Sequence, residues 1–403
     1  MNRRILIVAP FAPAQGGRHG GARAIHGIVR ELAQRHEVVV VHLDDGQIDP
    51  DIASRCAVHV IPVSDPGPWG VRFRGASMAL RGRSLKAAAS EVGQVTRRVR
   101  HVAETFRPHI VQVEFSVLGE ALRGAGDAVR VVTVHDPAAS LGESLPLRPD
   151  GLPFVHRVNA VVARREERRV LGRADAAVVF TERDRILLKD VVGGGTRLVT
   201  IPLGWDVPDE ELDPVGSGPP TLLFIGSFDH PPNVEAAKAL VQRILPHVRA
   251  EHSDVRVELV GSAPTLEVRA LAGDGVEVTG EVTSVVPHLD RAAVVVAPIS
   301  FGGGMRVKVL EALAAGKAVV ASSRAAEGVT ARPGEDLIVV DSDVDAAAAM
   351  NRLLADDEAR RRMAGRARAW AVRELSWSVM ADRYEDLYAR AAHRGRATVQ
   401  RGG

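Results

Sequence analysis

Cysteine occurs once in the 403 residues, at Cys56, so no intrachain disulfide can form, and no Cys/His cluster has the spacing of a zinc site. A chain of this kind suits a reducing, cytoplasmic setting. Aromatic residues make up only 4%. With no stacking module and no DNA-binding motif, this argues against a nucleic-acid partner. No apolar run reaches the roughly 18 residues needed to span a bilayer. The opening Met1-Asn2-Arg3-Arg4 and Ile5–Ala9 look superficially like a leader, but the apolar run is short and broken by Pro10 and Pro13, so it reads as a first buried strand. Any membrane contact is expected to be peripheral.

What is present is an ordinary globular composition, 46% apolar and 25% charged with 38 Gly and 23 Pro, which excludes collagen and disorder. The length suggests two domains or one large barrel. The net charge of +2 hides an asymmetry: residues 1–205 carry 29 Lys and Arg against 21 Asp and Glu, and the remainder 23 against 29. Much of the basic excess lies in Arg72, Arg74, Arg81, Arg83, Lys86, Arg97, Arg98, Arg100 and Arg107. Such a stretch is either a solvated helix face or a surface for anionic lipid or an anionic substrate.

Apolar runs of strand length alternate with helical periodicity almost from end to end, the pattern of parallel sheets covered by helices. In the front half the expected strands are Ile5–Ala9, Glu37–Leu43, Val58–Val63, Ile110–Val113, Val129–Val134, Ala176–Phe180 and Leu198–Ile201, with helices over Ala22–Gln34, Leu85–Thr105 and Val155–Leu171. Pro208–Pro220, polar and rich in backbone breakers, reads as a linker. A second series follows: Thr221–Ile225, Val255–Val260, Val276–Thr279, Ala293–Ala297, Ala318–Ala321 and Leu337–Val340. The expected fold is α/β, two Rossmann-like doubly wound parallel-sheet domains facing a central cleft; a single (β/α)₈ barrel is the second choice.

Ligands of open parallel sheets bind beyond the carboxyl ends of the strands. The loop after the first strand carries Gly16, Gly17, Gly20 and Gly21, which allow close backbone approach to a ligand at a helix amino end. Its spacing is not the dinucleotide fingerprint. His135 follows Val129–Val134 directly and can exchange a hydrogen bond with a substrate hydroxyl; Glu114 occupies the equivalent place on the preceding strand. Either group can equally be structural. The strongest local signal is Phe301-Gly302-Gly303-Gly304-Met305-Arg306-Val307-Lys308, running into Glu311 and Gly316. A strand enters three glycines and then a helix, whose amino end can hold a diphosphate while Arg306 adds a charged fork. Helical spacing places Gly304, Lys308 and Glu311 on one face, with Glu311 roughly 10 Å from the glycines, a ribose's distance from its diphosphate. The plain alternative is an exposed Lys308–Glu311 ion pair.

At these residues the chain resembles the two-Rossmann GT-B glycosyltransferases, specifically the large retaining family 4, the glycosyl transferases of group 1. The resemblance runs through Gly16-Gly17, Thr133-Val134-His135, Phe224-Ile225-Gly226-Ser227-Phe228, the Gly302–Glu311 segment and Gly316-Lys317. It ends in Ser376–Tyr388, which is similar to the family's last helix, crossing back onto the first domain. The resemblance implies a Rossmann-like acceptor domain over residues 1–205 with 376–403, and a nucleotide-sugar donor domain over 206–375. It implies Gly16 and Gly17 near the donor phosphate or sugar, His135 near the reacting carbon, Gly226 on the donor-phosphate side and Val282 at the nucleobase. Gly303, Gly304, Met305 and Arg306 would follow the sugar and diphosphate, and Glu311 the ribose. Gly303 stands where many members carry a glutamate, eight residues before the position of Glu311, so that carboxylate is missing. A basic pair common soon after the position of Gly226 is missing too, and Arg306 and Lys308 are the residues to replace it. His135, Arg306 and Lys308 are thus the catalytic candidates; Gly16, Gly17, Gly226, Val282, Gly303, Gly304, Met305 and Glu311 are the donor-binding ones.

The implied activity is retaining, metal-independent transfer of a hexosyl group from a nucleoside diphosphate sugar to an acceptor hydroxyl. Positive charge at the diphosphate would take the role a metal plays elsewhere, and no cofactor is needed. The Asp49-Pro50-Asp51 and Asp341–Asp345 runs read as solvated surface rather than metal ligands. The acceptor is a glycan or polysaccharide, a lipid-linked molecule or a secondary metabolite, and the basic stretch tilts the place of action toward the inner face of the membrane. A nucleotide-sugar 2-epimerase and a non-catalytic nucleotide-sugar binding protein are the alternatives. A pyridoxal-dependent phosphorylase is disfavoured by the five lysines.

Overall fold

The computed structural model describes residues 2–14, 20–43, 48–63, 91–135, 137–138, 153–192, 196–301 and 307–401. The chain divides into two compact units, Met1–Gly204 with Trp377–Gly403, and Trp205–Ser376.

The first unit is built on a seven-stranded sheet of β1 (Arg4–Ala9), β2 (Glu37–Leu43), β3 (Ala57–Ile61), β4 (Ile110–Glu114), β5 (Val129–Val134), β6 (Ala176–Val179) and β7 (Arg197–Thr200). Every pairing is parallel and the order is β3-β2-β1-β4-β5-β6-β7. The central strands are covered on both faces, which is why β1 reads Ile-Leu-Ile-Val-Ala without polar interruption. On one face, helix Val92–Phe106 packs on β1 and β2 and turns Val92, Val95, Val99 and Val102 into the core that holds Leu6, Val8, Val39 and Val41. Helix Gly20–Arg35 and the C-terminal helix Trp377–Arg401 pack against each other, and the latter also reaches β5. Its buried stripe of Trp377, Met380, Ala381, Tyr384, Leu387, Tyr388 and Ala391 has helical spacing.

The second unit carries a six-stranded, all-parallel sheet of β8 (Thr221–Ile225), β9 (Arg256–Val260), β10 (Val276–Gly280), β11 (Val294–Ala297), β12 (Val319–Ala321) and β13 (Ile338–Val339), in the order β10-β9-β8-β11-β12-β13. Both orders double back about their first strand. That creates a switch point between β1 and β4 in one sheet and between β8 and β11 in the other, where the crossovers leave on opposite faces and open a crevice. Two open, doubly wound parallel sheets in two units match the expected two Rossmann-like domains and dispose of the barrel.

The segment expected as a linker is instead a strap docked on the second unit. Asp213 N–H donates to Asp290 Oδ1 at 2.9 Å, Ser217 N–H to Arg291 O at 3.3 Å, and Arg368 Nη2 to Pro208 O at 2.7 Å. Lys317, fully buried, donates to the Asp213 and Asp290 carbonyls. Burial lowers its ammonium to about 8 against the opposing pull of Asp213 and Asp290. Breakers kept this segment out of helix and strand, but its backbone groups still needed partners, and the strap finds them on the unit beneath.

Candidate functional site

In the first unit the carboxyl ends of β1, β4, β5 and β6 bring Phe11, Glu114, Phe115, His135 and Phe180 together. His135 Nε2 lies 2.7 Å from Glu114 Oε2. The imidazole stacks on Phe115 with centroids 3.8 Å apart and planes 7° apart, and Phe180 meets it edge-on at 4.9 Å. Phe11 braces Phe115 edge-on at 5.3 Å. Phe115 has φ +69°, a left-handed backbone that costs a bulky residue on the order of 1–3 kcal/mol. That turn lays its ring parallel to the imidazole.

Glu114 is fully buried, and its carboxylate is the meeting point of three donors. Gln112 Nε2 reaches Oε1 at 2.6 Å, Thr133 Oγ1 reaches the same oxygen at 3.1 Å, and His135 approaches Oε2. Strand alternation explains the grouping: Val111, Val113, Val132 and Val134 pack into one core, which turns Gln112, Glu114 and Thr133 to the other face. With Nε2 committed to Glu114, Nδ1 is the ring nitrogen left for a ligand; it bonds to none of the described residues. Just beyond, the Ala138 N–H lies 3.1 Å from both oxygens of Glu167, and Ser116 Oγ adds a bond at 3.4 Å. Burial pushes the Glu167 carboxyl up to about 7, against those hydrogen bonds and the charge of Arg164.

In the second unit Gly226 follows β8 directly. A Cβ at Gly226 would stand 2.9 Å from the Asn233 side chain, and one at Gly261 would stand 1.9 Å from the Gly226 carbonyl oxygen. Only glycines let the ends of β8 and β9 approach this closely. Asn233, in the first turn of helix Pro231–Lys238, donates to Ser227 O at 2.6 Å and accepts from Lys308 Nζ. The ammonium also lies 5.0 Å from the centroid of the buried Phe224 ring. Lys308 stands in the first turn of helix Val307–Ala314, with Glu311 one turn further on, and both are half-buried. Val282 follows the end of β10 and rests half-buried on the core.

Of the residues expected from sequence, His135 and Glu114 are in direct contact, while Gly226 and Lys308 are joined through Asn233. Gly16, Gly17, Gly303, Gly304, Met305 and Arg306 lie outside the described residues, as do Arg72, Arg74, Arg81, Arg83 and Lys86. Arg97, Arg98 and Arg100 are exposed on helix Val92–Phe106. Two acidic runs do more than face solvent: Asp49 caps helix Pro50–Arg55, and Asp341 holds Ser323 while Ser342 caps helix Asp343–Ala355. Sequence reasoning missed Gln112, Phe115, Asn233, Tyr384 and Tyr388. Polar residues at 112, 114 and 133, inside strands that otherwise run apolar, were the available signal.

Two family models match the chain. The one described as "Glycosyl transferase 4-like domain" spans residues 19–204, and the one described as "Glycosyl transferases group 1" spans 219–356. Among curated proteins, the chain is 33% identical to a phosphatidyl-myo-inositol mannosyltransferase of Mycobacterium tuberculosis over 221 residues, 51% of this chain and 57% of that protein. It is 26% identical over 344 residues to the protein of the same name from Propionibacterium freudenreichii, 77% of this chain and 85% of that one. The chain spans about half the length of the mycobacterial relatives it matches. Among solved structures, a sucrose-phosphate synthase from Thermosynechococcus elongatus superposes with TM-score 0.67 at 18% identity, covering 96% of this chain and 99% of that one. The α,α-trehalose 6-phosphate synthase of Burkholderia multivorans gives TM-score 0.67 at 15% identity, covering 100% and 99%. Anabaena HepE in complex with UDP and glucose gives 0.63 at 14%, covering 96% and 100%.

Proposed function

Since the chain belongs to the group 1 glycosyltransferases, of family 4 and GT-B fold, we propose that it moves a hexosyl group from a nucleoside diphosphate sugar to an acceptor hydroxyl with retention at the anomeric carbon. The observation that carries this reading is Lys308, a cation held by Asn233 beside the glycine-opened end of β8, at the switch point of the second sheet. In the reaction, the bond between the anomeric carbon and the diphosphate oxygen breaks as the acceptor oxygen bonds to the same face. The acceptor proton leaves on the departing diphosphate. Lys308, with Arg306, balances the charge that builds on that leaving group, and Glu311 accepts from the ribose hydroxyls. His135 accepts from a hydroxyl of the transferred sugar through Nδ1, since Glu114 holds the opposite edge of its ring. No metal takes part in this scheme. The relatives named for phosphatidyl-myo-inositol favour a lipid-linked acceptor reached at the inner membrane surface.

The first test is thermal stabilisation by UDP, GDP, ADP, CDP and dTDP and their common sugars, with and without a chelator. A ligand at 100 times its dissociation constant adds about 2.7 kcal/mol. Selective stabilisation by one nucleotide series, unchanged by chelator, is the expected result. Release of that nucleotide only when an acceptor such as phosphatidylinositol vesicles is supplied then separates transfer from 2-epimerisation. No response from any nucleotide overturns the donor site. Binding without turnover under every acceptor is the outcome that Gly303, lacking the usual carboxylate, would explain.

A further inference from the structure

Tyr384 and Tyr388 lie one turn apart on helix Trp377–Arg401 and head the largest fully buried side chains of the described residues. Phenylalanine would fill the same space with no hydroxyl to satisfy, yet both hydroxyls are used. Tyr388 donates to Gln112 Oε1, which turns the amide so that its Nε2 faces Glu114. Tyr384 pairs with Thr133 Oγ1 at 3.3 Å while Thr133 donates to Glu114. Two arms therefore start from one helix and end on one oxygen of Glu114, whose other oxygen faces His135. Burial pushes both phenols well above their usual range, so they stay protonated donors throughout the physiological range. A buried carboxylate in such a network adds little stability over an apolar replacement of the same shape. What the network does fix is an orientation.

We propose that Tyr384 and Tyr388 are positioning residues that, through Thr133 and Gln112, lock Glu114 so that His135 keeps its proton on Nε2 and presents Nδ1 to the ligand. The proposal rests on the reading of His135 as the group that meets the transferred sugar. Losing either hydroxyl leaves a buried acceptor unpaired and lets its arm turn. Glu114 then gains freedom, and the imidazole tautomer is no longer held by a single partner.

The test uses the full chain labelled with ¹⁵N-histidine, the His135 ring resonances being those lost in His135→Asn. Wild type is expected to show a protonated Nε2 and an unprotonated Nδ1. Tyr384→Phe and Tyr388→Phe each shift both resonances toward a tautomer mixture, and the double variant shifts them further. Thr133→Val, which cuts the Tyr384 arm on its other side, reproduces Tyr384→Phe and adds nothing to it. With the nucleotide sugar that stabilises the protein most, kcat of the double variant falls about tenfold while KM stays within about twofold. Unshifted His135 resonances in a folded double variant overturn the proposal, whatever the melting temperature does. Shifted resonances in a protein that turns over no nucleotide sugar support the lock and count against the transferase reading instead.

Discussion

The indole of Trp377 occupies the space where a side chain on Gly27 would begin: a Cβ built on Gly27 stands 2.1 Å from the ring, and one on Gly204 stands 2.3 Å from it. Arg30 lies over the same indole at 6.0 Å from the centroid. The first residue of the C-terminal helix is thus seated between two bare backbone positions at the point where that helix joins the first unit.

Gly27→Ala is therefore expected to destabilise the protein. Alanine is the better helix former, yet the methyl has no room, and overpacking of this kind costs about 1–3 kcal/mol. Urea denaturation should show a lower midpoint for the alanine variant, and Trp377→Leu in the same chain should recover part of the loss. An unchanged midpoint would mean that the helix seat is loose.

Glu167 supplies a pH dependence. Its carboxyl titrates at about 7 in the folded protein, raised from an ordinary 4.5 by burial. Between those values the folded chain holds a proton that the unfolded chain has released, so stability falls as pH rises from 4.5 toward 7 and the full penalty stands above that. The difference amounts to about 3 kcal/mol. Glu167→Gln keeps an acceptor for Ala138 N–H and should remove this component. Parallel stability curves for the two proteins from pH 4.5 to 7.5 would show that Glu167 is solvated in solution.

Asn233→Ala should loosen Lys308 and weaken nucleoside diphosphate binding about tenfold, while Lys308→Met should cost about 1.5–3 kcal/mol of binding, the worth of a charged hydrogen bond. Calorimetric titration with the nucleotide that stabilises best measures both. Glu311→Ala should weaken nucleotide binding similarly, and should spare the affinity for inorganic pyrophosphate, which has no ribose. Equal loss for both ligands would remove Glu311 from the ribose.

His135→Ala should lower turnover with nucleotide affinity nearly intact, because the ring is assigned to the transferred sugar. Glu114→Gln should lower kcat in the same way, since a carboxamide orients the imidazole with a weaker bond than a carboxylate. Loss of nucleotide affinity in step with turnover would return His135 to a purely structural role.

The strands of both sheets were legible because parallel strands covered on two faces are predominantly apolar. Runs such as Ile5–Ala9 and Thr221–Ile225 admit little else. The expected strand Val58–Val63 runs past its last paired residue, Ile61, because apolar character continues beyond the last ladder bond. His135 and Lys308 could be proposed as chemistry-bearing residues because each follows a strand or a glycine loop within a few positions. Pro208–Pro220 reads as a linker because breakers report the absence of helix and strand, and say nothing about docking.

By itself, the sequence determined the periodicities: which segments are strands, which are helices, and which loops follow strand ends. Those depend on local spacing and on the burial each segment requires. Only the tertiary structure decided that Glu114 takes His135, that Asn233 takes Lys308, and that Tyr384 and Tyr388 reach back to Thr133 and Gln112. These partners are separated by 21 to 276 residues along the chain. A hydrogen bond between them has no local signature, and exists only because the parallel register and the seat of the last helix bring the groups within reach.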